Sequence, residues 1–125
     1  PIVDGWQGFA KVGTRNAMVI AVCNAALVVD RPAASVTVAM GSVGPTIVLA
    51  PEASAYVQDK IDWDSMRLVG DADEVDDVVR EFGARCSAAA RPIDDHRSTA
   101  DYRRHAVGVL GARLLRRAFV GMVAV

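Results

Sequence analysis

Residues 18–40 read MVIAVCNAALVVDRPAASVTVAM, and this stretch sets the fold class. From Met18 to Val29 the chain is almost wholly apolar. Its length and β-branched content suit a strand buried on both faces, although Ala25 and Ala26 also allow helix. Asp30-Arg31-Pro32-Ala33-Ala34 is a turn, since Pro32 removes a ladder donor. Ser35 to Met40 then alternates, with Val36, Val38 and Met40 on one face and Ser35, Thr37 and Ala39 on the other, as in a half-buried strand. A turn this short joins antiparallel strands and is too short for a parallel crossover.

Upstream, residues 1–17 read as irregular, because Gly5, Gly8 and Gly13 interrupt any period. Downstream, Gly41-Ser42-Val43-Gly44-Pro45 ends the second strand, and Thr46 to Leu49 resumes a short one. Pro51 suits the first turn of a short helix over Glu52–Asp59. Lys60 to Gly70 reads as a loop carrying Trp63. Asp71 is placed to cap the next helix, with Asp73 and Glu74 in its first turn. Val75, Val78, Val79, Phe82, Cys86 and Ala89 recur at helical spacing, and Pro92 follows. Ser98 with Asp101 resembles a capping box. Tyr102, Ala106, Val109, Leu110, Leu114 and Ala118 then form the inward stripe of a long last helix. Gly108 and Gly111 weaken that helix intrinsically, so close packing against a neighbour is expected. Strands first and long helices last imply an α+β fold: a small, mainly antiparallel sheet of three or four strands against about three helices, with residues 1–125 as one domain.

Hydrophobic residues make up 52% of the 125, enough to suggest that another domain or subunit covers part of the surface. The net charge of −1 gives no bulk pull toward nucleic acid or an anionic membrane. No apolar run reads as long enough to span a bilayer, and no signal-peptide pattern opens the chain. It begins with Pro1 rather than Met, as a processed chain or a piece of a longer one would. Cys23 and Cys86 lie far apart, each in an apolar pattern. They read as buried thiols of a reducing, cytoplasmic compartment.

The densest polar run is Arg91-Pro92-Ile93-Asp94-Asp95-His96-Arg97-Ser98, followed by Asp101-Tyr102-Arg103-Arg104-His105. Paired carboxylates and histidines invite a hydrolase or lyase reading through Asp94, Asp95 and His96. Yet His96 and His105 lack a zinc-type spacing, and no nucleophile has an evident base beside it. A helix-to-helix joint uses the same groups: Asp and Ser side chains satisfy free backbone groups, and Arg97, Arg103 and Arg104 hold the carboxylates. The run therefore reads as a joint with no catalytic or metal-binding residue. The turn from Gly41 to Thr46 lacks the Gly-Lys-Ser/Thr of a Walker motif, and no helix opens from it.

The series Pro92, Asp94-Asp95, Arg97-Ser98, Tyr102-Arg103-Arg104-His105, Leu110 and Arg116-Arg117-Ala118 resembles the close of the flavoprotein subunit of molybdenum hydroxylases of the carbon monoxide dehydrogenase and xanthine dehydrogenase type. That domain commonly reads P-I-D-D-x-R-x-S-x-x-Y-R-R before a helix ending in Arg-Arg-Ala. Phe9-Ala10-Lys11-Val12, Arg15-Asn16-Ala17-Met18 and Ile20-Ala21 resemble its opening, and Met40 to Thr46 resembles its L-G-G-V-A-P-T turn. Three positions depart: Val19 stands where Asp is frequent, Ser42 replaces the second glycine of the turn, and Leu49 replaces an arginine.

The resemblance implies a C-terminal domain whose two preceding flavin-binding domains carry most of the FAD site. In such enzymes electrons pass from a molybdenum centre through iron–sulfur clusters to FAD. The implied partners are the flavin domains of the same subunit and the iron–sulfur and molybdenum subunits. By position, Val29, Gly41 and Ser42 fall near the flavin. Asp94, Asp95, Arg97, Ser98, Tyr102 and Arg103 form the structural signature. Such a domain is not catalytic alone. The competing expectation is a free-standing, non-enzymatic module that self-associates through apolar surface.

Overall fold

The structure, a computed structural model, describes residues 5–13, 21–41, 43–44, 46–91 and 99–119. Strands β1 (Gly5–Gly13), β2 (Ala21–Asp30), β3 (Ser35–Gly41) and β4 (Val48–Leu49) form one antiparallel sheet in that order. Then come α1 (Pro51–Gln58), a small hairpin of β5 (Ile61–Asp62) and β6 (Arg67–Leu68), α2 (Ala72–Ala89) and α3 (Ala100–Phe119). The class is α+β: among the described residues a four-stranded antiparallel sheet and a small two-stranded hairpin accompany three helices, where three or four strands and about three helices were expected. No helix among the described residues is long and apolar enough to cross a membrane.

The hairpin at residues 30–35 fixes the register. The Asp30 carboxylate accepts from the Ala33 N–H at 3.3 Å and the Arg31 carbonyl from the Ala34 N–H at 3.0 Å. Val29 then pairs with Val36, Leu27 with Val38 and Ala25 with Met40. All six are buried, as are Cys23 and Val43. Helix α3 packs over β1 and β2, α1 over β3, and α2 against both α1 and α3. One core results, filled by Leu27, Met40, Phe82, Leu114 and Leu115. Burying each such side chain is worth ~1.5–3 kcal/mol relative to exposure.

The helices are set by local chemistry. Pro51 opens α1 as expected. Asp71 caps α2 in a full capping box: its carboxylate accepts from the Glu74 N–H at 2.9 Å, and the Glu74 carboxylate from the Asp71 N–H at 3.0 Å. Helices α2 and α3 cross where Gly83 faces Gly108. A β-carbon at Gly83 would lie 2.7 Å from the Gly108 carbonyl oxygen. The expected close packing of Gly108 is therefore real. Ser87 Oγ donates to the Arg104 carbonyl at 2.8 Å beside it.

Several expectations need correction. Residues 5–13 are a strand, with a shift of register between Val12 and Gly13, and its Gly8 leaves room for the Trp6 ring. Strand β2 is fully buried on one face only; Asn24, Ala26, Val28 and Asp30 are half-buried on the other. The stretch 60–70 contains the β5–β6 hairpin. In its turn the Asp62 carboxylate accepts from the N–H of Asp64 at 3.0 Å and of Ser65 at 3.3 Å. The Ser65 and Asp64 amides hold its pKa below the ordinary carboxylate value. Arg31 ties this hairpin to the β2–β3 turn by donating to the carbonyls of Trp63 at 3.1 Å and Asp64 at 2.7 Å. The buried stripe of α3 is rotated: Arg103 is inward and Tyr102 is 48% exposed, because the face toward the sheet runs through Arg103, Val107, Leu110 and Leu114.

Candidate functional site

Three chain segments that the sequence singled out converge at one end of the sheet. The first is the end of β3, where Gly41 is paired with Asn24 of β2. The second is the exit from α2, where the Arg91 N–H donates to the Val43 carbonyl at 2.6 Å. The third is the start of α3. The side chain of Val43 is fully buried, so the glycine turn is anchored into the core at that point. Asp94, Asp95, His96, Arg97, Ser98 and Ser42 lie outside the described residues.

At the start of α3, Thr99 supplies the N-cap: its hydroxyl accepts from the Tyr102 N–H at 3.1 Å, and its carbonyl from the Arg103 N–H at 3.1 Å. The expected capping box pairs Ser98, which lies outside the described residues, with Asp101. The Asp101 side chain is 98% exposed and pairs with Arg104 at 3.1 Å on the surface, where such a pair is worth ~0–1 kcal/mol.

Arg103 is the exception in this run. It is 4% exposed, the one charged side chain among the buried described residues. Its guanidinium acts on the buried Cys23 thiol of β2. Burial pushes that thiol's pKa up, and the Arg103 charge offsets part of the rise. Cys86, on α2 under Gly111, is pushed by burial up to about 12. Both thiols are protonated near neutral pH, which suits packing and not nucleophilic attack.

Of the three positions tied by resemblance to a flavin, the two that are described, Val29 and Gly41, do not lie together. Val29 is fully buried at the hairpin end of β2, whereas Gly41 lies at the opposite end of β3. Val29 pairs with Val36, and the strand from Val36 to Gly41 runs roughly 17 Å at 3.3 Å per residue. One flavin ring system cannot rest on both. Gly41 also has a local reason to be glycine: a β-carbon there would lie 2.5 Å from the Asn24 side-chain oxygen.

The helix face away from the sheet offers a shallow groove of about 410 Å³ between α2 and α3, lined by Asp76, Val79, Arg80, Val109, Ala112, Arg113 and Arg116. Arg116 donates to Asp76 there at 2.8 Å, joining the two helices. His105 lies along the same seam, exposed. No group of three or more His, Cys, Asp or Glu side chains placed to hold a metal occurs among the described residues. The Arg91–Val43 bond ties the α2 exit to the glycine turn, and the Ser87–Arg104 bond ties α2 to the start of α3.

Sequence reasoning missed two features. One is the inward turn of Arg103, hidden because Tyr102 beside it is the more apolar residue. The other is an exposed apolar row on the sheet, with Phe9 58% and Leu49 57% exposed. Its signal was a phenylalanine between the polar Gln7 and Lys11.

The model of the CO dehydrogenase flavoprotein C-terminal domain family matches residues 9–118. Among solved structures, reconstituted CO dehydrogenase from Oligotropha carboxidovorans is 26% identical with a TM-score of 0.66, over 90% of this chain and 36% of that one. Carbon monoxide dehydrogenase from Hydrogenophaga pseudoflava, in a form lacking the Mo-pyranopterin moiety of the molybdenum cofactor, shares the fold at 23% identity and a TM-score of 0.66, over 90% and 36%. Quinoline 2-oxidoreductase from Pseudomonas putida 86 shares it at 17% identity and a TM-score of 0.68, over 94% and 38%. The chain thus spans little more than a third of these solved chains. No curated protein matches it. The match over residues 9–118 and the shared α+β architecture make this chain a member of the CO dehydrogenase flavoprotein C-terminal domain family.

Proposed function

We propose that this chain, as one domain over residues 1–125, is the bracing C-terminal part of an FAD-binding subunit in a molybdenum hydroxylase. The flavin is bound mainly by domains outside this sequence, and this part steadies them. Within the complex, FAD would receive electrons from a molybdenum centre by way of iron–sulfur clusters held on partner subunits. The compartment would be the cytoplasm. The observation that carries this is the character of the signature run itself. Its described members work as fasteners: Thr99 caps, Arg103 is buried beside Cys23, and Asp101 with Arg104 is a surface pair. A flavin contact from this chain would come from backbone at one end of the β2–β3 pair, at Val29 or at Gly41–Ser42. By the same logic Asp94, Asp95, Arg97 and Ser98 fasten the α2–α3 joint.

The test is purification of the natural polypeptide that carries this sequence. The expected result is a longer polypeptide that holds FAD stoichiometrically and co-purifies with iron–sulfur and molybdenum subunits. A polypeptide with no flavin-binding region would overturn the proposal. It would favour a free-standing module that self-associates, for which the exposed Phe9, Ile47 and Leu49 supply the apolar surface.

A further inference from the structure

The sheet has two faces, and its own helices cover one. The inner face carries Cys23, Ala25, Leu27 and Val29 of β2 and Val36, Val38 and Met40 of β3, all buried. On the opposite face Phe9 is paired with Ala26, Ala26 with Ala39, and Ala39 with Leu49. These four residues make one apolar row that crosses all four strands. Its ends are 58% and 57% exposed at Phe9 and Leu49, with Ile47 at 63% beside Leu49. The two alanines between are half-buried. The neighbouring rows carry polar groups: Gln7 and Thr37 flank Val28 on one side, and Lys11 precedes Asn24 and Gly41 on the other.

The shape follows from the side chains. Phe9 and Leu49 stand as walls at either end, and Ala26 and Ala39 are a low floor. Three strand spacings set the walls about 14 Å apart. A helix is ~10–12 Å across with its side chains, so the trough admits one helical or stranded ridge between the walls. Left open, an apolar band of this kind marks an interaction surface.

The occupant is constrained by what the molecule already uses. The inner sheet face is filled by α1 and α3. The seam of α2 and α3 presents charge at Asp76, Arg80, Arg113 and Arg116. The solved relatives carry nearly two thirds of their length outside the matched part, and the open apolar face offers such a length a surface to pack on. We infer that the outer sheet face, walled by Phe9 and Leu49 and floored by Ala26 and Ala39, docks the flavin-binding part of the same polypeptide through an apolar ridge. This rests on the functional proposal above and adds the place of contact.

Hydroxyl-radical footprinting of the intact natural polypeptide, against the isolated chain, reads the contact directly. Val69, 60% exposed and remote from the row in sequence, is the reference. Labelling of Phe9 and Leu49 is expected to fall several-fold in the intact polypeptide while Val69 is unchanged. In the same polypeptide, Leu49→Lys should restore labelling of Phe9 without unfolding α2 or α3. A flavin-binding polypeptide whose Phe9 and Leu49 label as fast as Val69 overturns this inference alone. So does protection that appears in the isolated chain and fades on dilution, since the occupant is then a second copy. A polypeptide lacking a flavin-binding region, evident from its sequence before any labelling, overturns the functional proposal and this inference together.

Discussion

Replacing Gly108 by alanine sets two physical effects against each other. Intrinsic helix propensity favours alanine inside α3 by about 1 kcal/mol. Packing opposes it. A β-carbon at Gly108 would lie 2.8 Å from the Gly83 carbonyl oxygen and would press on Ser87 Oγ. Ordinary contact begins at 3.4 Å, so α2 and α3 must part by about 0.6 Å at their crossing. The partner atom is backbone and cannot rotate away. Overpacking of this kind costs ~1–3 kcal/mol, and loss of the hydrogen bond from Ser87 to the Arg104 carbonyl adds about 1 kcal/mol. The net is a loss of about 1–3 kcal/mol. At about 4 °C per kcal/mol for a chain of this size, Gly108→Ala should lower Tm by roughly 4–12 °C. Gly111→Ala is the control. Its β-carbon would lie 3.0 Å from the Cys86 sulfur, a side-chain atom that can shift, so the loss should be smaller. Differential scanning calorimetry of the three proteins decides the matter. A Tm for Gly108→Ala equal to or above the parent's would refute the close helix crossing.

Three further outcomes follow from the same structure. Arg103→Ala should cost about 3 kcal/mol and Arg104→Ala under 1 kcal/mol in urea titrations, since Arg103 is 4% exposed while the Arg104 pair is on the surface; equal losses would contradict the inward turn of Arg103. Asp71→Ala should cost about 1 kcal/mol by removing one half of the α2 capping box, and hydrogen exchange should show fraying confined to its first turn. Cys86 has its pKa raised from 9.0 to about 12, so the folded state holds the proton where the unfolded state has lost it. Its stabilising contribution is whole below pH 9.0 and declines as pH rises toward about 12, by about 1.4 kcal/mol per unit at most. Cys86→Val should flatten that part of the stability profile, and an unchanged alkaline slope would exclude Cys86 as its source.

The parts of the fold that were legible in the sequence are those where one face is apolar and the other polar. Val36, Val38 and Met40 alternate with Ser35, Thr37 and Ala39, and β3 is where that pattern places it. Helix α2 likewise follows its stripe of Val78, Val79, Phe82 and Cys86. Strand β1 was illegible because its inward residues are Trp6, Gly8 and Ala10, while the large apolar Phe9 points outward. The alternation is regular, but hydrophobicity does not follow it. The start of α3 misled for the converse reason: a buried arginine beside an exposed tyrosine inverts the usual order of burial. Of the expected joint, residues 92–98 lie outside the described residues, and the described start of α3 carries a cap at Thr99 and a surface ion pair. That the Thr99 hydroxyl accepts from the Tyr102 N–H depends on where the helix begins, and adjacent hydroxyl residues do not reveal that.

The most direct test of an architectural role is the affinity of the purified chain for FAD, followed by quenching of flavin fluorescence. No saturable binding is predicted at micromolar flavin, with the fold intact by circular dichroism. Stoichiometric, saturable uptake of FAD by these 125 residues alone would contradict the account.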